Sequence, residues 1–519
     1  MMSGGPGADA TPATTPWAPP TPAAWASAGA STSPCPPLTH QDDTHKTALA
    51  GASSLIAALA AKGHLSLVAG GWVRDALLGR PCADVDVATS APPETVTATF
   101  ERVVPMPNDT LIVSTLEAGA FEVAPFRGGE EEGEGAPPPP PSPLLAAAAR
   151  DARLRDFTVN ALFYDPASNL VIDFVGGVGD AQARTLRGCG GDPGARLAED
   201  PLRCVRAVRL AATLGLAIHP DTAAAVAAAA HACTPPAVAV ERVWKEVVKL
   251  GGAEEASAEA GGRPGAFASG LATARALGLL PVILPELCGE GVDAEATGAA
   301  VRRLGPGIPA ALRLAAALPA GFELGGGGSS GGSGGGGGGS SPTGPPPPGS
   351  GAAALVARLK LSRKEAAMLG ALAGLRALDA AAGRSAAGAG EGEGVDPIAW
   401  VRWYAGPSAP ACLAVQAAVL ADEASRSAYT ASHAARQVAY APAIARAREG
   451  RTLLTAARAR AGGVKPGRAL GELLGAAERI AAVRGWLDGD VEAVEAAVRE
   501  AGLWPEGAEQ EEARKRARG

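Results

Sequence analysis

LVAGGWVRDALLGRPCADVDVAT, residues 67–89, is the stretch from which the rest of the chain is read. An apolar run, Leu67-Val68-Ala69, meets Gly70-Gly71, then an amphipathic segment with Arg74 and Asp75, then Asp84-Val85-Asp86-Val87. The pattern predicts strand, glycine turn, short helix and strand. Successive strand side chains point to opposite faces, so Asp84 and Asp86 share one face while Val85 and Val87 enter the other. Two neighbouring carboxylates repel unless a cation neutralises them, and hard oxygen donors at that spacing suit Mg²⁺. Gly70 and Gly71 let the backbone come close to a ligand, and the helix start after them aims amide N–H groups at a phosphate. An Asp-x-Asp alone is usually a solvated turn or strand edge. Joined to the glycines in one unit, it points to metal-assisted handling of a nucleoside triphosphate.

The pattern Gly-Gly-x-Val-Arg-Asp-x-Leu-Leu-Gly followed by Asp-x-Asp resembles motif A of the class II tRNA nucleotidyltransferases, the CCA-adding enzymes, and their bacterial poly(A) polymerase relatives. Further likenesses follow in chain order. Residues 110–116 and 120–126 read as a hairpin. Its second arm, Phe121-Glu122-Val123-Ala124-Pro125-Phe126-Arg127, resembles the family's strand Glu-Val-x-x-Phe-Arg, which lies beside the aspartates. Glu122 is thereby a third acidic candidate, the alternative being an exposed strand glutamate. Asp151 to Leu162 resembles motif B, Arg-Arg-Asp-Phe-Thr-x-Asn-Ala, with Leu154 in place of the first Arg of the pair. In that likeness Arg155 binds phosphate or sugar oxygens, and Asp156 accepts a ribose hydroxyl bond that selects NTP over dNTP.

Val171 to Gly177 resembles motif C and is expected to be structural, and Leu197 to Arg206 resembles motif D, Glu-Asp-x-x-Arg. Pro201 suits a first helical position, and Asp200 and Arg203 are expected three apart on one helix face. The pairing edges of cytosine and adenine both carry an NH₂ donor beside a bare ring nitrogen. A carboxylate accepts from the first and a guanidinium donates to the second, so one Asp and one Arg can admit C and A and refuse U and G. The plain alternative is an i, i+3 salt bridge. Gly70, Gly71, Arg74 and Arg206 complete the expected nucleotide-binding set. Leu210 stands where the family usually has Phe, a packing change.

Composition sets the frame around these motifs. A chain of 519 residues exceeds the size at which one core normally stops growing, and with aromatics at only 4% it is expected to build helices on Ala and Leu. A net charge of −7 gives no global attraction to nucleic acid, so RNA contacts fall to local basic patches. One such patch is the interval from Arg426 to Arg468, with nine Lys or Arg and one acid, Glu449; the alternative is a solvated helix face. Within it, Pro466-Gly467 opens a segment similar to the Pro-Gly-x-x-Gly helix start in the tail of CCA-adding enzymes, flanked by Lys465 and Arg468 as expected RNA-binding residues. The seven cysteines contain no Cys-x-x-Cys pair, which argues against a zinc site or disulfide framework and fits a reducing compartment. Residues 1–45 have no basic start with an apolar core, and no run of about eighteen uninterrupted apolar residues occurs, so no membrane span is expected.

The resemblance implies an α+β nucleotidyltransferase head, a small mixed β-sheet of about five strands with helices, followed by an all-α neck, body and tail. The expected boundaries are a disordered segment 1–45, a head 46–188 with a disordered insertion 128–149, and a base-recognising neck 189–255. A body 256–440 with a Gly/Ser/Pro linker 324–352 and a tRNA-binding tail 441–519 follow. Within this scheme Val240 to Glu246 resembles a bracing neck helix, and Ser362 an N-cap in the body. It also implies catalysis by Asp84, Asp86 and Glu122, with Mg²⁺ on the two aspartates, and transfer of CMP and AMP from CTP and ATP to the 3′ end of tRNA. The implied location is intracellular, whether in cytoplasm, mitochondrion or plastid. Alternatives are poly(A) synthesis, addition of only C or only A, and an RNA-binding protein without catalysis. The bacterial poly(A) polymerases typically carry Gly-Arg-Arg-Phe soon after Asp-x-Asp, and nothing between Val87 and Leu116 matches it.

Overall fold

A computed structural model describes residues 19–37, 43–81, 84–115, 119–128, 142–254, 262–289, 292–319, 322, 324, 345–346, 348–386 and 395–504. Most of the expected insertions at 128–149 and 324–352, and the basic stretch 514–518, lie outside the described residues. The chain divides into two compact units, Met1–Ala239 with Ala256–Arg263 and Thr273–Ile283, and Val240–Glu255 with Pro264–Ala272 and Leu284–Gly519. The segment expected as a separate neck is therefore shared out: its residues up to 239 join the first unit and helix Val240–Gly252 the second.

In the first unit β1 (Ser31–Pro34), β2 (Ser66–Ala69), β3 (Asp86–Thr89), β4 (Val103–Pro105), β5 (Leu111–Thr115), β6 (Gly119–Pro125), β7 (Leu162–Asp165) and β8 (Leu170–Asp173) form one mixed sheet. Their order is β1-β8-β7-β2-β3-β6-β5-β4. Only β3 and β6 run parallel among these neighbours. Its helices include α1 (Pro22–Ser27), α2 (Asp43–Ala60), α3 (Gly71–Leu77), α4 (Pro93–Thr99), α5 (Pro143–Leu154), α6 (Gly177–Gln182), α7 (Pro193–Glu199), α8 (Leu202–Leu214) and α9 (Pro220–Ala229). Leu55 and Leu59 of α2, Trp72 of α3 and Val96 of α4 cover one sheet face with Val68, Val87 and Val123. Trp25 of α1 and Leu145, Ala148 and Ala152 of α5 cover the other, against Leu67, Ala69, Ala88 and Phe163. The second face is not wholly covered: Asp86 of β3 and Glu122 of β6 remain exposed on it.

Three expectations are corrected. The sheet has eight strands, not about five; β1, β4 and β7 are the additions, each only three or four residues long and without a clear alternating pattern. Residues 1–45 are not wholly disordered, because α1 and β1 fold into the unit. Trp25 is fully buried with its ring edge-on to Phe174 at 6.2 Å, and Ser31 pairs with Asp173 on β8. Composition hid this because β1 takes its partner from about 140 residues downstream. At the insertion, Pro143 opens α5, so the last residues of the expected loop are helical, with Leu145, Ala148 and Ala149 buried.

The motif C stretch is structural, as expected. One Asp173 carboxylate oxygen accepts from the N–H groups of Val175, Gly176 and Gly177 at 2.9–3.0 Å and the other from Val178 at 2.9 Å, closing the turn into α6. A Cβ on Gly177 would lie 2.2 Å from the Thr158 carbonyl oxygen, so only glycine fits there. This docks α6 on the motif B segment.

The second unit is helical throughout its described residues. Ser362 and Glu365 form a reciprocal cap at the start of helix Arg363–Ala386: Glu365 accepts from the Ser362 N–H at 2.8 Å, and the Ser362 hydroxyl from the Glu365 N–H at 3.3 Å. Residues Arg363–Gly383 have the length and composition of a membrane span. Here Leu369, Leu372 and Leu375 are instead buried among neighbouring helices, and the Trp403 indole donates to the Ala371 carbonyl at 2.8 Å. A buried ion pair, Arg313 with Glu254, is completed by the Arg313 bonds to the carbonyls of Ile308 and Gly305 and by the Phe267 N–H on Glu254.

Candidate active site

The acidic cluster follows from strand register. β3 and β6 pair in parallel with Val87 opposite Val123, both buried, so Asp86 and Glu122, one residue earlier on each strand, emerge on the opposite face side by side. Asp84 precedes β3 and is exposed, with Val85 buried between it and Asp86, which keeps the expected alternation. Partial desolvation of a side chain that still keeps exposed surface, then Glu122, then Asp84 push the Asp86 carboxyl up to about 6, while Arg155 opposes them. Three carboxylates and one guanidinium therefore share a field. Among the described residues no group of three Asp, Glu, His or Cys side chains is already drawn together at metal-holding distance.

The glycine turn does what its sequence requires at one of its two residues. Gly70 has φ +70°, and a Cβ on it would meet the Arg155 guanidinium at 3.0 Å. Arg155 therefore lies against the turn, stacked over Phe163 at 5.0 Å. The helix after the turn is only seven residues long.

Several expected nucleotide contacts are engaged inside the protein. Arg74 grips Asp75 through two bonds of 2.9 and 2.7 Å and donates to the Asn160 side-chain oxygen at 2.7 Å. Asn160 in turn donates to Asp156 at 3.0 Å. Asp156 also accepts from the Phe157 N–H and from Arg206 through bonds of 2.9 and 2.5 Å. Burial raises the Asp156 carboxyl, but Arg206, Asn160 and the Phe157 amide outweigh it and hold the group below the usual carboxylate range. One chain of bonds thus runs Asp75–Arg74–Asn160–Asp156–Arg206 from α3 to α8. Asn160 has no role assignable from sequence alone, although it lies in the quoted motif; only the fold shows that its amide spans two motifs.

Asp200 and Arg203 do not lie on one helix face. Asp200 is extended between α7 and α8 and accepts from the Leu202 N–H at 3.2 Å, while Arg203, inside α8, donates to the Arg196 carbonyl at 2.5 Å and to Glu199 at 3.2 Å. Pro201 forces the break by ending α7. In the second unit Lys465 and Arg468 are both exposed where Gly467, at φ +138°, starts helix Arg468–Arg484. The rest of the basic interval is largely neutralised from outside it. Arg426 pairs with Glu423, Arg446 with Glu478, Arg458 with Glu495 and Arg451 with Asp488, and Arg436 stacks on Trp400 at 4.2 Å.

Residues 66–187 match the family described as the poly A polymerase head domain. The CCA-adding enzyme of Anoxybacillus flavithermus is 37% identical over 202 residues, 38% of this chain and 49% of that protein. The chain spans about half the length of the curated relatives it matches. The fold is shared with the crystal structure of the Bacillus stearothermophilus CCA-adding enzyme in complex with CTP, at 24% identity and a TM-score of 0.55 over 86% of this chain and 94% of that one. It is shared too with the Thermotoga maritima CCA-adding enzyme complexed with tRNA-CCA, at 15% identity and a TM-score of 0.56 over 90% and 99%.

Proposed function

We propose that this protein is an intracellular tRNA nucleotidyltransferase that adds CMP and AMP to the 3′ end of tRNA, using CTP and ATP and releasing pyrophosphate. The observation that carries the chemistry is the pairing of Asp86 with Glu122 across the parallel β3–β6 pair, with Asp84 beside them and Arg155 opposite. The similarity to a CCA-adding enzyme over 202 residues, and solved relatives in complex with CTP and with tRNA-CCA, support the choice of nucleotide and acceptor.

The donor set fits a divalent cation, which we take to be Mg²⁺ on Asp84 and Asp86. All its donors are hard carboxylate oxygens, and after desolvation it is the crowding of Glu122 and Asp84, only partly offset by Arg155, that raises the Asp86 carboxyl, a charge a bound cation would relieve. Bound there, the cation supplies charge neutralisation at the reacting oxygens. Glu122 adds a further acceptor beside the primer hydroxyl. Arg155 holds phosphate oxygens against the Gly70–Gly71 turn, and the Arg74–Asn160–Asp156–Arg206 chain keeps that turn and α8 in register. Asp156 accepts from a ribose hydroxyl once one of its four present donors gives way. Asp200 and Arg203 read the base once Arg203 exchanges its exposed Glu199 partner for a ring nitrogen. Lys465 and Arg468 contact tRNA backbone phosphate.

The test is incubation of the purified protein with tRNAs ending before CCA and each labelled NTP, followed by sequencing of the products. Addition of C, C and A is expected. Incorporation of U or G would refute the Asp200/Arg203 assignment. The description of the matching head domain favours a second reading, poly(A) synthesis, which long A tails in the same assay would establish.

A further inference from the structure

We infer that Asp151 is a positioning residue that aims two arginines from different elements, Arg127 after β6 and Arg155 after α5, at the triphosphate of the incoming nucleotide. The inference rests on the function proposed above and deepens it.

Asp151 sits in the last turns of α5 with its side chain 1% exposed. One carboxylate oxygen accepts from Arg155 Nη2 at 2.8 Å. The other has no hydrogen-bond partner and lies 3.8 Å from Arg127 Nε. A buried carboxylate oxygen without a hydrogen bond is costly, so a residue retained in that state needs a compensating cation, and Arg127 is the one in reach. Arg127 is 61% exposed and borders an open cavity of about 760 Å³ that Glu122, Asn108 and Thr110 also line. Arg155 is held by a 3.3 Å bond to the Asn160 carbonyl, and its buried Nε has no partner.

One carboxylate thus faces two guanidinium groups. Arg127 has Arg155 and Arg203 as like-charged neighbours and Asp151 and Asp156 as opposite ones, and Asp156 is already committed to Arg206. Positive charge left over beside Asp86 and Glu122 is what a polyphosphate bridging to a metal requires. Leu154, which stands where the resembling family has arginine, fills the space next to Gly128, with its Cδ1 2.9 Å from where a Cβ would sit. Arg127 is then the guanidinium available beside Arg155.

The test compares the full chain with Arg127→Gln and Asp151→Asn. Titration calorimetry with inorganic pyrophosphate and with CMP, magnesium present, separates phosphate from nucleoside contacts; steady-state kinetics with CTP follow. Each variant is expected to weaken pyrophosphate by about tenfold, the scale of one charge-assisted hydrogen bond, and to leave CMP within about twofold. The kinetic loss should fall on KM rather than kcat, and the double variant should be scarcely worse than Asp151→Asn alone. A merely structural Asp151 would weaken CMP and pyrophosphate alike, and that result overturns the inference. So does unchanged pyrophosphate binding in Arg127→Gln, a surface change that decides the matter even where Asp151→Asn unfolds. A wild-type protein that binds pyrophosphate through Arg127 yet incorporates neither CMP nor AMP would sink the proposed function and leave the inference standing.

Discussion

Asp86 and Glu122 are separated by 36 residues of chain and brought together by a single register, Val87 opposite Val123. Replacing Asp84 or Asp86 by Asn should lower nucleotide incorporation by about a thousandfold or more, the scale of several kcal/mol lost from the transition state, with an unchanged circular dichroism spectrum. Near-wild-type incorporation by either variant would remove these residues from the chemistry. Asp156 makes a different prediction, on stability. Its folded carboxyl lies below the ordinary range, so its contribution is complete above the unfolded pKa and fades as pH falls through the folded value. Urea midpoints of the wild type should therefore drop on acidification below about pH 4, whereas Asp156→Asn, less stable by about 1–3 kcal/mol at neutral pH, should lose less over the same interval. Parallel curves would place the acid sensitivity elsewhere. At this scale the sequence was informative about which residues gather and less so about what they touch. Asp86 and Glu122 were legible from alternation and likeness. That Arg74, Asp156 and Arg206 join one bonded chain was not, because its members lie in different motifs.

Among the elements, those with local signals stand within a few residues of expectation: the glycine turn into α3 and the β5–β6 hairpin. Elements whose stability is non-local were missed. β1 has four residues and no alternating apolar pattern, and only β8 gives it a reason to be extended. The Asp200–Arg203 face failed for a related reason: spacing alone predicts a shared face, but Pro201 breaks the helix between α7 and α8. The close docking of α6 gives a sharp test. Gly177→Ala places a methyl 2.2 Å from the Thr158 carbonyl oxygen, an overlap that only backbone movement relieves. We expect a loss of about 1–3 kcal/mol in urea unfolding at unchanged m-value, whereas Gly179→Ala, with open space around it, should be within about 0.5 kcal/mol of wild type. Equal midpoints for both variants would show that α6 does not depend on that close approach.

Over the whole molecule the net charge is −7, and within the basic interval acids from outside it neutralise Arg426, Arg446, Arg451 and Arg458, so few of that interval's described cations are left for an RNA backbone. Lys465 and Arg468 are exposed, and Arg468 pairs with Glu472, itself exposed. Replacing both by Gln should reduce the slope of log affinity against log salt for tRNA binding by about 1–2, one for each phosphate no longer neutralised, without altering incorporation into a saturating primer. An unchanged slope would remove Lys465 and Arg468 from the proposed tRNA contact. The segment before residue 46 has a consequence of another kind. Its Pro- and Ala-rich composition invites trimming, yet a protein shortened to start at residue 46 loses Trp25 from beneath Phe174, worth about 3–5 kcal/mol, and strips β8 of its outer neighbour. The bare row of N–H and C=O groups is then a template for a second copy. Such a shortened protein is expected to scatter light and elute as aggregates, so β1 acts as the guard strand that keeps the sheet from growing beyond one molecule.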